Sequence, residues 1–151
     1  MSERAIKVKA MGLFICPLGR FLASPGFDSV KSQGYLRLLG GHVEFGERAA
    51  EALAREIMEE ISAHCVVGDL LEVIENSFTH EGEPGQEVVF LYAADLTDRD
   101  FYSREQIPLI EPDQRKIAVW TPLDDLLEGR VFCYPPADYA AHFARLRRGN
   151  G

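Results

Sequence analysis

The stretch LLGGHVEFGERAAEALAREIMEEISAH, residues Leu38–His64, carries the most informative pattern of this chain. Within it, Arg48–Ser62 is predicted to form a helix, because apolar side chains recur at the spacing of one helical face. These core-facing positions are Ala50, Leu53, Ala54, Ile57, Met58 and Ile61. Glu56, Glu59 and Glu60 lie beside that face, within about 100° of helical arc. Part of this acidic cluster is therefore expected at the edge of the core.

Three glutamates this close together need an explanation. Glutamates on a helix usually form a solvated surface, and that reading stands as one alternative. Partly buried like charges are unfavourable, however, unless a positive charge neutralises them. Clustered carboxylate oxygens are the ligands preferred by hard cations such as Mg²⁺ or Mn²⁺. The cluster therefore indicates a site for a divalent cation.

The same residues match a known spacing. Gly41, Glu47 and the run Arg55-Glu56-Ile57-Met58-Glu59-Glu60 resemble the Nudix box, G-x5-E-x7-R-E-U-x-E-E-x-G-U, in which U is a bulky aliphatic residue. The box covers residues 41–63. Six identities arise by chance with a probability on the order of 10⁻⁷ per start position at background frequencies. Ser62 and Ala63 depart from the Gly and the aliphatic residue of the pattern, and both departures concern how the helix ends.

The resemblance implies the fold, the activity and the site. The implied fold is α+β, an α/β/α sandwich with a mixed sheet between helices, formed by one Nudix domain over residues 1–151. The implied activity is Mg²⁺- or Mn²⁺-dependent hydrolysis of a nucleoside diphosphate linked to another group X. The implied catalytic residues are Arg55, Glu56, Glu59 and Glu60, and the implied metal ligands are Gly41, Glu56, Glu59 and Glu60. Structural roles fall to Gly40, Glu44, Gly46 and Glu47, with Glu47 expected to pair with Arg55.

Residues outside the box are weaker candidates. Arg37, on the strand that enters the box, and Glu111 are candidate substrate-binding residues. Other acids that could serve as a metal ligand or a base are Glu81, Glu83, Glu87 and Glu105. Phe78, Tyr102 and Tyr134 could stack on a base, although aromatic residues near strands are usually core. The single histidines His42 and His80 receive no role.

The rest of the chain alternates strand-like runs with turn signals. Predicted strands are Ala5–Cys16, Arg20–Ser24, Tyr35–Leu39, Cys65–Val67, Leu70–Ser77, Glu87–Ala93 and Ile117–Thr121. Residues 25–34 and 78–86 are predicted loops, and 97–112 is predicted to be irregular. Leu123–Leu127 is predicted to be a short helical turn and Pro136–Arg148 a closing helix.

Composition limits the classes of partner and compartment. The net charge of −8 argues against a nucleic-acid duplex as partner, because phosphate backbones are bound by basic surfaces. Three cysteines without a CxxC spacing are expected to be buried free thiols in a reducing compartment. No run approaches the ~20 apolar residues of a membrane span. A cytoplasmic protein that acts on a small nucleotide is expected, and formation of a homodimer is left open.

Two function classes remain open on this pattern. The first is a metal-dependent pyrophosphohydrolase. The second is a Nudix-fold sensor that binds a nucleotide without turnover. The intact Arg55, Glu56, Glu59 and Glu60 favour the enzyme, since a pure binding module has no need of a metal cluster. The nucleotide substrate is not predicted by the sequence.

Overall fold

A computed structural model describes residues 4–110 and 116–149 of the chain. In chain order its elements are β1 (Ile6–Leu13), β2 (Arg20–Asp28), β3 (Gln33–His42), α1 (Ala49–Ile61), β4 (Cys65–His80), β5 (Glu83–Leu96), a 3₁₀ helix (Arg99–Ser103), β6 (Gln106–Pro108), β7 (Ile117–Pro122), α2 (Leu123–Leu127), β8 (Cys133–Tyr134) and α3 (Tyr139–Gly149).

The strands of the described residues form one mixed sheet in the order β4-β5-β1-β3-β2-β7-β6, with β8 paired to β3. The β1–β5 and β3–β8 pairs are parallel, and the other pairs are antiparallel. Strand β3 changes partner along its length. Its first part pairs with β2 over Gln33–Leu38, and its last part pairs with β1 over Leu39–His42. The sheet therefore divides at the point where β3 leads into the box.

Helices cover both faces of this sheet. On one face, α1 packs through Leu53 and Ile57, both fully buried, against a cluster that includes Phe14 and Leu39. On the other face, Phe143 of α3 packs in a second cluster with strand residues of the sheet. The predicted α+β sandwich with a mixed sheet between helices is confirmed.

Helix α1 begins and ends within one residue of its predicted bounds. Leu53, Ile57 and Ile61 are buried as the apolar periodicity requires, and Ala52 is buried as well. Ala50, Ala54 and Met58 are only half-buried. The helix ends at Ser62, which adopts a left-handed conformation with φ 53° and ψ 42°. Ser62 thus occupies a position where the box has glycine, which adopts this conformation at lower cost.

The prediction of a loop over residues 25–34 is wrong. Strand β2 continues to Asp28 and β3 begins at Gln33, so these two strands form a hairpin with a short turn. Pro25 is tolerated within β2 because β7 pairs with β2 only as far as Ala23. Beyond that point β2 is an edge strand, where proline leaves no ladder hydrogen bond unmade.

The predicted loop over 78–86 is also too long. Strand β4 continues to His80 and β5 begins at Glu83, which leaves a turn of Glu81 and Gly82, both with positive φ. The two runs predicted around Cys65–Val67 and Leu70–Ser77 are one strand with two register shifts. Pro84 and Gly85 lie within β5 because they pair with Thr79 and Phe78 of β4, so the ladder continues to the turn.

Smaller differences occur towards the C-terminus. The segment predicted to be irregular contains the 3₁₀ helix and β6 within its described part, β8 was not predicted, and α3 begins at Tyr139 instead of Pro136. The three cysteines are free, but Cys65 is only half-buried. Among the described residues, no helix is long and apolar enough to cross a membrane.

Candidate active site

The glycine pair brings the end of β3 into direct contact with the glutamates of α1. A Cβ atom on Gly41 would lie 2.3 Å from Cδ of Glu56, so the Glu56 carboxylate occupies the space that a side chain would fill. The backbone N–H of Gly40 donates to Oε1 of Glu60 over 3.0 Å. Any side chain at Gly40 would collide with the β1 backbone at Ala10. Glycine is required at residue 40 by the approach of the β1 backbone, whereas a side chain at residue 41 would force the Glu56 carboxylate to move.

Arg55 lies at the centre of the acidic cluster. Its Nη1 atom is 3.1 Å from Oε1 of Glu56 and 3.2 Å from Oε2 of Glu59. Its Nη2 atom is 2.7 Å from Oε1 of Glu47 and donates to the carbonyl of His42 over 2.9 Å. The guanidinium therefore links the box loop to α1. The pairing expected between Arg55 and Glu47 is present.

The ionisation of this pair reflects its contacts. Hydrogen bonding to Glu47 raises the pKa of Arg55 above its usual range, with burial opposing and Glu56 and Glu59 adding to the increase. The pKa of Glu47 is lowered, first by the side-chain hydrogen bond from Arg55 and then by the backbone N–H of Glu44. Both groups are held in their charged forms at neutral pH.

One guanidinium does not balance the acidic cluster. Arg55 contacts the carboxylates of Glu47, Glu56 and Glu59, and Glu44 lies 3.8 Å from it. The excess of formal negative charge favours a bound cation. The Glu59 side chain is 58% exposed, whereas that of Glu56 is only 18% exposed, so Glu59 is open to solvent and Glu56 is largely covered.

The carboxylate oxygens of this cluster are donor atoms suited to a divalent metal ion. Within residues 4–110 and 116–149, no three His, Cys, Asp or Glu side chains converge closely enough to hold a metal by themselves. Mg²⁺, however, is commonly bound through one or two carboxylates and is completed by water and substrate phosphates. The Glu56 carboxylate against Gly41, together with Glu59 and Glu60 on the same helix, provides hard oxygen ligands of that kind.

A cleft of about 240 Å³ is formed by side chains from several strands of the sheet. It is lined by Lys9, Met11, Asp28, Lys31, Gln33, Tyr35, Arg37, Asn76, Phe78, Thr79, His80, Glu87 and Tyr134. Lys9 pairs across the strands with His42, and Met11 pairs with Gly40. The cleft and the glycine pair therefore share strands β1 and β3, although no residue of the acidic cluster lines the cleft.

Two hairpin turns meet at one end of this cleft. Glu81, in the β4–β5 turn, accepts hydrogen bonds from the backbone N–H of Ser29 over 2.7 Å and from its hydroxyl. The Glu81 N–H donates to Oδ2 of the buried Asp28, and Lys31 donates to the carbonyl of Thr79. These contacts join the β2–β3 turn to the β4–β5 turn.

A family profile described as the NUDIX domain matches residues 20–139, most of the chain. The chain belongs to the Nudix family.

Solved structures with the same fold include several Nudix proteins. A MutT protein from Methanosarcina mazei Go1 is 20% identical over 99% of each chain, with a TM-score of 0.64. A MutT NUDIX hydrolase from Burkholderia pseudomallei is 22% identical over 80% of this chain and 86% of that chain, with a TM-score of 0.60. An ADP-ribose pyrophosphatase from Streptococcus suis 89-1591 is 12% identical over 86% of this chain and 81% of that chain, with a TM-score of 0.54. At these identities the likenesses show the fold.

Membership of the Nudix family supports the predicted pyrophosphohydrolase. Nudix hydrolases generally use a divalent metal and act on small nucleotide substrates, which agrees with the presence of an acidic cluster and of a cleft. The intact box residues, from Gly41 to Glu60, are those expected of this enzyme class.

The structure separates the candidates outside the Nudix box. Arg37 lines the cleft, and so do Phe78 and Tyr134, two of the three aromatic residues considered for base stacking. Tyr102 instead stacks on Trp120, away from the cleft. Glu111 lies outside the described residues.

The other acids fall into different surroundings. Glu81 is engaged in the contact between the turns, whereas Glu83 and Glu105 are exposed. Glu87 is buried in the cleft beside Lys9.

Several cleft residues carried no sequence signal of their own. His80, which received no role, lines the cleft, and its Nε2 atom lies 3.3 Å from the Tyr35 hydroxyl. Lys9, Tyr35 and Asn76 come from separate strands and meet only through the sheet order. One pattern in the sequence could have indicated such residues. In β1, Lys9 occupies the same face as Met11, so a charged side chain lies next to an apolar one on that strand face.

Proposed function

We propose that this protein is a Mg²⁺- or Mn²⁺-dependent hydrolase that cleaves the diphosphate linkage of a nucleoside diphosphate joined to another group X. The observation that supports it is that one strand carries residues of two unlike sites. On β3, Gly41 contacts Glu56 of the acidic cluster, and Arg37, four residues earlier, lines the cleft. In this proposal a bound diphosphate extends along β3 from the cleft to the acidic cluster.

In this proposal Glu56, Glu59 and Glu60 hold the cation, with the backbone of Gly41 as a further ligand. When bound there, the cation supplies Lewis-acid chemistry, neutralising phosphate oxygens and lowering the pKa of a bound water. Arg55 holds Glu56 and Glu59 in place and links them to the loop through Glu47.

The loop residues have supporting roles. The Glu44 N–H donates to Oε1 of Glu47 over 2.8 Å, so the loop carboxylate is fixed on two sides. Gly46 has φ +90° and provides the turn before the helix. Gly40 orients Glu60 through its N–H. We propose these residues as structural members of a single Nudix domain over residues 1–151.

The cleft is proposed to hold the nucleoside. Its aromatic side chains, Tyr35, Phe78 and Tyr134, provide faces on which a base can stack. Arg37 is proposed to contact a phosphate, because it is a half-buried cation on the strand that leads to Gly40. The role of Glu111 in substrate binding and the cytoplasmic location stay predictions.

The test is a screen for hydrolysis with purified protein. ADP-ribose, nucleotide sugars, nucleoside triphosphates and dinucleoside polyphosphates are incubated with Mg²⁺, with Mn²⁺ and with excess EDTA. We expect a nucleoside monophosphate and a phosphorylated partner from at least one class, only when metal is present. Undiminished hydrolysis in EDTA, after tightly held metal is stripped, would contradict the proposal. Nucleotide binding without hydrolysis of any class would support the sensor instead.

A further inference from the structure

The charged side chains of the cleft differ in how far a ligand can reach them. Its two carboxylates, Asp28 and Glu87, are 4% and 5% exposed. Asp28 accepts hydrogen bonds from the backbone N–H groups of Val30, Lys31 and Glu81. The cations are less covered. The charged groups that a ligand can reach in this cleft are therefore mainly its cations, Lys9, Lys31 and Arg37.

Lys9 is the cation at the floor of the cleft. Its Nζ atom lies 2.8 Å from Oε2 of Glu87, and its side chain is 16% exposed. Oε1 of Glu87 accepts a hydrogen bond from Nδ2 of Asn76 over 3.2 Å. Oε2 has no aligned hydrogen bond, although the Lys9 ammonium is beside it. The Lys9 ammonium is therefore paired with the buried Glu87 carboxylate, and the Asn76 amide in turn fixes that carboxylate.

This arrangement suits a neutral acceptor better than a phosphate. The adjacent Glu87 carboxylate offsets the Lys9 charge and would repel a phosphate placed against it. An ammonium has three donors and no acceptor, and the Lys9 ammonium faces Glu87 on one side. The other N–H groups of Lys9 are left for a ligand in the cleft that Tyr35, Phe78 and Tyr134 also line.

We propose that Lys9 selects the base of the bound nucleotide, with Glu87 and Asn76 as positioning residues, and that it favours bases carrying an oxo group. This inference rests on the proposed function. Guanine and uracil present a carbonyl oxygen where adenine and cytosine present an amino group. An amino group facing the ammonium leaves two donors opposed and unpaired, which a site built to donate rejects strongly. Lysine is likewise a common partner of the guanine O6 and N7 atoms in DNA recognition.

The experiment measures equilibrium binding of GDP, ADP, UDP and CDP to the full chain by NMR titration in EDTA, so that no turnover occurs. Each oxo base is compared with its amino counterpart. We expect GDP to bind more tightly than ADP, and UDP more tightly than CDP, by about 5- to 100-fold in each pair. Lys9→Met should bring both ratios close to one, and Glu87→Gln should reduce them.

Lys7→Met is the matched control. Lys7 lies two residues before Lys9 on β1, is exposed and does not line the cleft, so the same loss of charge should leave both ratios unchanged. Lys9→Arg, which keeps a donor, should keep the oxo preference. Equal affinities within each pair in the wild type, ratios unchanged by Lys9→Met, or no binding of any of the four would each overturn the inference.

The two proposals fail separately. If hydrolysis depends on metal but GDP and ADP, and UDP and CDP, bind with equal affinity, this inference is overturned and the proposed function is retained. An oxo preference in EDTA, abolished by Lys9→Met, without hydrolysis of any nucleotide class in metal would support the binding inference and overturn the proposed function.

Discussion

At the residue scale, Arg55 and the glycine pair explain why the glutamates of α1 can be crowded. Arg55 places one positive charge between Glu56 and Glu59, and Gly41 leaves the space that the Glu56 carboxylate occupies. The remaining excess of negative charge is what a divalent cation would neutralise. Each of these contacts can be removed by one substitution.

Gly41→Ala should impair turnover more than stability. The new Cβ would lie 2.3 Å from Cδ of Glu56, so the carboxylate must move away from its place beside Arg55. A displacement of about 1 Å in a catalytic constellation can reduce the rate by about 100-fold. The measurement is kcat/KM for the hydrolysed nucleotide, with circular dichroism to check the fold. Wild-type turnover in a folded variant would show that the position of Glu56 is immaterial.

Ser62→Gly should stabilise the protein. Ser62 has φ 53°, a region that costs a non-glycine residue of order 1 kcal/mol or more. Glycine relieves that strain but loses more entropy on folding, so a net gain of about 0.5–1 kcal/mol is expected. Chemical denaturation of the two proteins measures the difference, and a loss of stability would refute the assignment of strain to this helix end.

At the element scale, α1 depends on its buried face. Leu53→Ala should destabilise the protein by about 2–5 kcal/mol, because Leu53 is fully buried and its truncation leaves a cavity. Met58→Ala, on the half-buried flank of the same helix, is the control and should cost less. Urea denaturation provides both values. A loss below about 0.5 kcal/mol for Leu53→Ala, which is typical of surface positions, would mean that the helix face is misassigned.

The contact between the two hairpin turns should open in acid. Backbone hydrogen bonds, that from Lys31 above all, lower the pKa of Asp28, and hydrogen bonds from Ser29 lower that of Glu81. Because both folded values are depressed, their stabilisation is complete above the usual values of 3.8 and 4.5 and is lost as pH falls through the lowered ones.

NMR shifts of the Ser29 amide, followed from about pH 6 to about pH 2, test this contact. The amide should keep its hydrogen-bonded shift through the usual carboxyl range and change only at lower pH, because both carboxyl pKa values are lowered. Glu81→Gln removes one of the two titrations and serves as the control. A change centred above the usual range would contradict the assigned contacts.

The elements differ in how far local sequence determined them. Helix α1 was predicted to within a residue because its periodicity and the Nudix box are both local patterns. The strands of the β2–β3 and β4–β5 hairpins were predicted too short. Pro25, Pro84 and Gly85 are strand-breaking residues in the sequence, but in the structure they are paired with the neighbouring strand. The glutamate cluster could be read from one helix. The cleft could not, because Lys9 and Glu87 are distant in sequence and meet through strand order.

At the scale of the whole molecule, a protein with a net charge of −8 places several carboxylates around the single guanidinium of Arg55. This excess of negative charge supports a polyanionic ligand bridged to the protein by metal. It also predicts a linkage between metal and folding, since an ion that binds only the folded chain stabilises it by mass action.

Added Mn²⁺ should therefore raise the melting temperature of the wild type. At a free Mn²⁺ concentration of one hundred times Kd, the free energy of unfolding should rise by about 2.7 kcal/mol. Glu59→Gln and Glu60→Gln should gain less. Without metal, both should lie within about 0.5 kcal/mol of the wild type, because Glu59 is exposed and glutamine keeps an acceptor for the Gly40 N–H. Glu75→Gln, an exposed change of equal charge on β4, should respond to Mn²⁺ as the wild type does.

The metal site is tested by measuring kcat for hydrolysis of the nucleoside diphosphate–X substrate in saturating Mn²⁺, for the wild type, Glu60→Gln and Glu75→Gln. If the glutamates of α1 hold the catalytic cation, Glu60→Gln should lower kcat by about 100-fold or more, and Glu75→Gln should leave it unchanged. Full turnover by a folded Glu60→Gln variant, or an equal loss in both variants, would contradict the assignment of the acidic cluster as the metal site.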